Sequence, residues 1–207
     1  MKRTVNGVPV SEEQIQLIVD AALAGLSLSA DDELLDLCCG NGALTDRLLQ
    51  HCTAGLGVDF SEYLINVANT HFAISPSRQY MLQDVASFCQ QYSATMRFTK
   101  AICYGSFSYL EADAAMVMLT ALHDRFTSIK RVFIGNCPDR DKLFVFFADK
   151  NYTDGIEYRA DSAIGIWRTE EEFCVLAGQC GWHAEFSRMP TNYYAAHYRY
   201  DVVLTRL

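Results

Sequence analysis

Residues 33–42 read Glu-Leu-Leu-Asp-Leu-Cys-Cys-Gly-Asn-Gly, and a helical pattern follows from Ala43. A short apolar run bounded by a glycine-rich turn reads as a buried strand, here Glu33–Cys38, feeding a helix at about Ala43–His51. Small residues in such a turn let the backbone approach a ligand and let the helix pack on the sheet. A dinucleotide fingerprint needs a third glycine three positions after Gly42, and Thr45 stands there instead, so a pyrophosphate clamp fits poorly.

Outward from this turn, apolar runs and helical patterns alternate. Upstream, a helix begins at Ser11, where Ser11 and Gln14 form a capping-box pattern. Downstream come a strand at Gly55–Asp59, a helix at Ser61–Phe72, a strand near Arg78–Gln83, and a helix through Phe88 and Tyr92. A strand at Lys100–Tyr104, a helix at Ala112–Phe126 and a strand at Arg131–Asn136 follow. Residues 137–168 break the alternation and read as an insertion or lid with some strand content. A helix at Thr169–Cys180, capped by Thr169 and Glu172 and stopped at Gly181, precedes two strands at His183–Arg188 and Tyr198–Leu207. The expected architecture is a single α/β domain over residues 1–207. Its doubly wound, Rossmann-like sheet has seven mostly parallel strands and an antiparallel C-terminal hairpin strand.

Acidic residues punctuate the strand ends: Asp36, then Asp59 after 23 positions, then Asp84 after another 25. Asp59 can accept both hydroxyls of a ribose, or serve as a turn residue ahead of the next helix. The run Asp36-Leu-Cys38-Cys-Gly40-Asn41-Gly42 with these spacings resembles class I S-adenosylmethionine-dependent methyltransferases over about residues 30–136. The resemblance implies that Asp36, Cys38, Gly40, Asn41 and Gly42 wrap the methionine part of the cofactor, with Cys38 replacing a usual glycine. It implies Asp59 at the ribose, Asp84 on the adenine amino group and Val85 offering its N–H to the ring, with Phe60 and Tyr104 as further cofactor-binding residues. Asp84 can equally be an ordinary helix cap.

The acceptor belongs beyond the carboxyl ends of the parallel strands. Tyr104-Gly105-Ser106-Phe107-Ser108 should floor the methyl-transfer site, and Ser106 is a substrate-binding candidate. The Asn/Asp-Pro-Pro-Tyr pattern of amide and base nitrogen methylation is missing there, which favours oxygen over nitrogen as acceptor. Strand five ends in Asn136-Cys137-Pro138-Asp139-Arg140, offering Asp139 as a base and Arg140 as an anion clamp, or simply a surface turn. The loop Pro190–His197 returns to the same edge and carries Tyr193, Tyr194, His197 and Tyr198. His197 and Tyr194 are catalytic candidates and Tyr193 and Tyr198 substrate-binding ones, although an aromatic-loop histidine is often packing. His123 reads as structural and His71 as a helix-end residue. Phe144, Phe146, Phe147, Tyr152, Tyr158 and Trp167 could face a flat metabolite, but a small core of the lid's own is expected. GNCPDRDKLFVFF, AIGIWRTEEEF and YYAAHYRYDVVLTRL resemble small methyltransferases of bacterial surface-polysaccharide or modified-sugar pathways, implying a sugar or nucleotide-sugar acceptor.

Composition bounds these readings. A chain of 207 residues, half hydrophobic and one-fifth charged, is globular. Its formal charge of −8 argues against general nucleic-acid binding but allows a small anionic substrate. No apolar run is long enough to span a membrane and no signal-peptide pattern opens the chain, so a cytoplasmic protein is expected. Eight cysteines without a CxxC pair read as free, mostly buried thiols, and no metal site is expected. The alternatives are a nicotinamide-dependent α/β oxidoreductase and a non-catalytic, cofactor-binding partner protein.

Overall fold

A computed structural model describes residues 4–5 and 8–207. A ribbon of β1 (Thr4–Val5) and β2 (Val8–Pro9) leads into α1 (Glu12–Leu26), β3 (Glu33–Leu37), α2 (Ala43–Leu48), β4 (Ala54–Asp59) and α3 (Glu62–His71). Then come β5 (Arg78–Leu82), α4 (Val85–Gln91), β6 (Lys100–Tyr104), α5 (Ala112–Arg125) and β7 (Arg131–Pro138). The short α6 (Leu143–Phe146) precedes α7 (Glu170–Gln179), β8 (Trp182–Ser187) and β9 (Arg199–Arg206). The seven-stranded sheet has the order β5-β4-β3-β6-β7-β9-β8. Neighbours from β5 to β7 run parallel, and β9 lies antiparallel between β7 and β8. The winding reverses between β3 and β6, which opens a crevice at their carboxyl ends.

Both sheet faces are covered, so the strands carry unbroken apolar runs whose alternate residues enter different cores. Leu35, Val58, Cys103, Ile134 and Val202 pack with Phe88 of α4, Met118 and Leu122 of α5, and Phe173 of α7. Leu34, Ile102, Phe133 and Val203 point to the other face, against Ile18, Ala22 and Leu26 of α1 and Leu48 of α2. Each fully buried aliphatic side chain contributes about 1.5–3 kcal/mol. Thr169 and Glu172 form the reciprocal capping box that their spacing implies.

The expected strand content of residues 137–168 is absent beyond Pro138. The segment folds as 3₁₀ turns at Arg140–Lys142 and Ile156–Tyr158 around α6, with one isolated bridge from Asp139 to Arg168. Several of its aromatic residues pack on one another as a small core, while Phe144 and Tyr158 stay exposed. Trp167, 1% exposed, meets the rings of Phe146, Phe147 and Tyr198 at 5.4–6.3 Å.

A register shift between Ile134 and Cys137 interrupts the pairing of β7 with β9. Asn136 lies there with φ +64° and donates its N–H to Asp201 at 2.6 Å. Burial pushes the Asp201 carboxyl up to about 6 against the pull of that hydrogen bond and Arg199.

Candidate active site

Strand β3 ends at Leu37, and Cys38, Gly40 and Gly42 then take positive φ in succession at every second residue. This backbone turns back over the strand end, and Gly42 caps α2. A cavity of about 670 Å³ opens above the turn. Asp36, Cys38, Gly40 and Asn41 line it on one side and Tyr104, Gly105 and Ser106 on the other. A Cβ placed on Gly40 would meet no protein atom within 4 Å, so the glycine leaves a bare backbone facing open space.

Asp36 is 3% exposed and accepts a 2.6 Å hydrogen bond from the Thr45 hydroxyl. Burial, reinforced by Asp59, pushes its carboxyl up to about 7 despite that bond. Asp59 accepts from the backbone N–H of Gly40 at 2.9 Å and of Ser61 at 2.9 Å. Its carboxylate thereby ties the glycine turn to the end of β4.

Part of the cavity wall comes from the amino-terminal segment, from Pro9 through Glu12 to Ile15 and Ile18. Arg47 of α2 grips Glu12 with both guanidinium nitrogens, the second contact at 3.0 Å. The expected capping box at Ser11 forms only by half. Ser11 accepts from the Gln14 N–H at 3.4 Å, but the Gln14 side chain reaches away, donating to Asn192 O at 2.9 Å and accepting from Tyr194 N at 2.8 Å. Gln14 thus anchors the 190–198 loop to α1, and the hydroxyls of Tyr193 and Tyr104 meet at 3.0 Å.

A glycine turn at the end of the first sheet strand, an acid closing the next, and a cavity above both are features that compare directly with known proteins. Residues 34–126 match a methyltransferase domain family. That matched stretch, somewhat under half of the chain, is similar to a methyltransferase domain, and the chain's match to its curated relatives spans well under half of their length. Magnesium protoporphyrin IX methyltransferase of Synechocystis, solved with bound S-adenosylhomocysteine, shares the fold at a TM-score of 0.66 and 19% identity, over 94% of this chain and 83% of that one. A small RNA methyltransferase, at TM-score 0.65 and 17% identity, matches 100% of this chain and 26% of its own. An uncharacterized methyltransferase of Schizosaccharomyces pombe is 46% identical over 43 residues, which are 21% of this chain and 16% of that relative.

The methyltransferase fold gathers some of the expected site residues and disperses others. Asp36, Cys38, Gly40, Asn41, Tyr104 and Ser106 share the cavity. Tyr193 joins them through Tyr104, and the Tyr194 ring lies 4.4 Å from that of Tyr193. Phe60 is 76% exposed beside Asp59, outside the cavity lining. Asp84 caps α4, accepting from Ser87 N at 2.9 Å, and Val85 is buried in the core.

The expected acceptor residues need correction at three points. Asp139 is not open to a substrate: it is 1% exposed and paired with Arg188 at 2.7 Å, because its 3₁₀ turn folds inward against β9. Arg140 is engaged by Glu172 at 2.5 Å and lies over the Tyr158 ring. His197 is exposed, its ring against Tyr198, and Tyr198 is buried in the aromatic core; neither lines the cavity. All eight cysteines are free thiols. Among the described residues, no helix is long and apolar enough to cross a membrane.

The sequence offered no local signal for Glu12, Gln14 or Arg47, whose partners lie 35 to 180 positions away.

Proposed function

We propose that the chain transfers the methyl group of S-adenosylmethionine to a small-molecule acceptor, an oxygen nucleophile in preference to nitrogen. One observation carries this reading: a single cavity runs from the bare backbone of Gly40 to Tyr104 and Ser106 at the end of β6. In this reading Asp36, Cys38, Gly40, Asn41 and Gly42 hold the methionine part of the cofactor. Asp59 turns from the Gly40 N–H towards the ribose, and Phe60, Asp84 and Val85 flank the adenine. When bound, the cofactor supplies an electrophilic sulfonium methyl group. The residues of the chain then have to hold the acceptor in line and keep water out. Tyr104 and Tyr193 supply a buried phenol pair for that purpose, with the amino-terminal segment from Pro9 to Ile18 as part of the surrounding wall. Resemblance of the carboxyl-terminal half to sugar-pathway enzymes supports a sugar or nucleotide-sugar acceptor, and the sequence supports a cytoplasmic setting.

Calorimetry with S-adenosylhomocysteine tests the cofactor half of the proposal, and absence of binding overturns it. Release of S-adenosylhomocysteine across panels of hydroxylated metabolites, amines and RNA tests the acceptor half. Turnover confined to RNA would overturn the small-molecule reading.

A further inference from the structure

The cavity above the glycine turn carries a single cation. Among the described residues that line it, Arg47 alone is a lysine or arginine, and it stands one helical turn beyond Ala43, where α2 begins. Two acids share the lining with it, Glu12 and Asp36. Asp36 is buried, bonded to Thr45 and pushed up to about 7, which makes it a weak counterion near neutral pH. Glu12, at the start of α1, keeps 69% of its side chain exposed. Both its carboxylate oxygens meet the Arg47 guanidinium, Oε2 at 3.0 Å from Nη2.

Of the ion pairs among the described residues, this one alone borders the cavity. Val10, Ile15, Leu44 and Leu64 give the same lining an apolar character, so a charge brought alongside the pair is attracted more strongly than in open water. An exposed ion pair holds its own geometry weakly and opens readily for another charged group. Glu12 itself shows that this guanidinium takes a carboxylate in two-point geometry.

We infer that Arg47 and Glu12 together read the α-amino-acid end of the cofactor, Arg47 taking its carboxylate and Glu12 its ammonium group. The inference rests on the methyltransferase reading. A zwitterion carries its two charges on one carbon, and the Arg47–Glu12 pair sets two opposite charges in contact. Laid side by side in opposite sense, the two dipoles give every charge an opposite neighbour and leave none unpaired. The methionine end proposed at Gly40 and Asn41 faces the same cavity. The glycine turn therefore gives the cofactor room, and the ion pair makes the site selective for a ligand with an intact amino acid. A nucleoside without that end touches neither side chain.

Calorimetry on the intact protein tests this with three ligands. They are S-adenosylhomocysteine, methylthioadenosine, which lacks the amino-acid end, and decarboxylated S-adenosylmethionine, which keeps the ammonium group alone. Arg47→Gln should weaken S-adenosylhomocysteine by about tenfold or more and leave the other two within about twofold of wild type. Glu12→Gln should weaken both S-adenosylhomocysteine and the decarboxylated cofactor and leave methylthioadenosine unchanged. A pair that merely ties α1 to α2 would move all three ligands alike. That result in a variant with wild-type melting, or unchanged S-adenosylhomocysteine affinity in Arg47→Gln, overturns the inference. If Arg47→Gln melts early, Arg47→Lys decides: it keeps the charge but not the two-point fit, and should lose S-adenosylhomocysteine affinity selectively. Failure of wild type to bind S-adenosylhomocysteine would instead overturn the methyltransferase reading, and the inference with it.

Discussion

The hydroxyl groups of Tyr104 and Tyr193 lie 3.0 Å apart, joining the end of β6 to a loop 89 residues further along the chain. Burial and the neighbouring phenol push the Tyr193 pKa far above its ordinary value, so its hydroxyl stays protonated. Tyr193→Phe removes one hydrogen bond from a buried pair, an expected loss of about 1 kcal/mol in urea denaturation. Turnover should fall further than cofactor affinity in this variant. An equal loss in both would place the phenol pair at the cofactor rather than the acceptor.

Gly40 presents bare backbone to the cavity at φ +57°. Gly40→Ala puts a methyl group where the cofactor is proposed to sit and adds roughly 1–2 kcal/mol of backbone strain. S-adenosylhomocysteine affinity should drop about tenfold or more, equivalent to ~1.4 kcal/mol. Calorimetry on the variant checks this, and unchanged affinity would move the ligand away from the turn.

The buried Asp36 carboxyl is pushed up from 3.8 to about 7. The native state therefore binds this proton more tightly than the unfolded chain does. Its stabilising contribution is complete below about pH 4 and is lost as pH rises through 7. Denaturation of the cofactor-free protein at pH 5 and pH 8 should show wild type losing on the order of a few kcal/mol more than Asp36→Asn, whose own smaller loss comes from the raised Asp201. Parallel pH profiles would mean that Asp36 stays ionised throughout.

Asp139 is buried and held by Arg188. Asp139→Asn weakens that pair and should cost about 1 kcal/mol in stability, because Arg188 is partly exposed and keeps Glu170. With the fold maintained at low temperature, the pH dependence of turnover should match wild type. A lost basic limb in the pH–rate profile would return Asp139 to the role of a base.

The legibility of this molecule in its sequence follows the range of each interaction. The turn after β3, the Ser61 cap, the Thr169–Glu172 box and the alternation of the strands are written within a few residues, and the structure has them where expected. Gln14 illustrates the limit. Its spacing from Ser11 fits a capping box, yet Asn192 and Tyr194 outcompete the Ser11 backbone for its side chain. Asp139 failed as a reading for the same reason, since Arg188 lies 49 positions away. In residues 137–168 aromatic residues suit strands and small cores equally, and only packing around Trp167 decides between them.

The placement of β9 between β7 and β8 bears on how the protein is made. On the ribosome, residues 1–187 can emerge with β7 still lacking its neighbour, so that edge is open to solvent until residues 199–206 slot in. Gln14, synthesised well before residues 192 and 194, waits for them before its anchor exists. A nascent chain thus carries its glycine-turn residues long before β9 is available to cover β7, and translation stalled before residue 199 leaves an unfinished sheet for chaperones to shield.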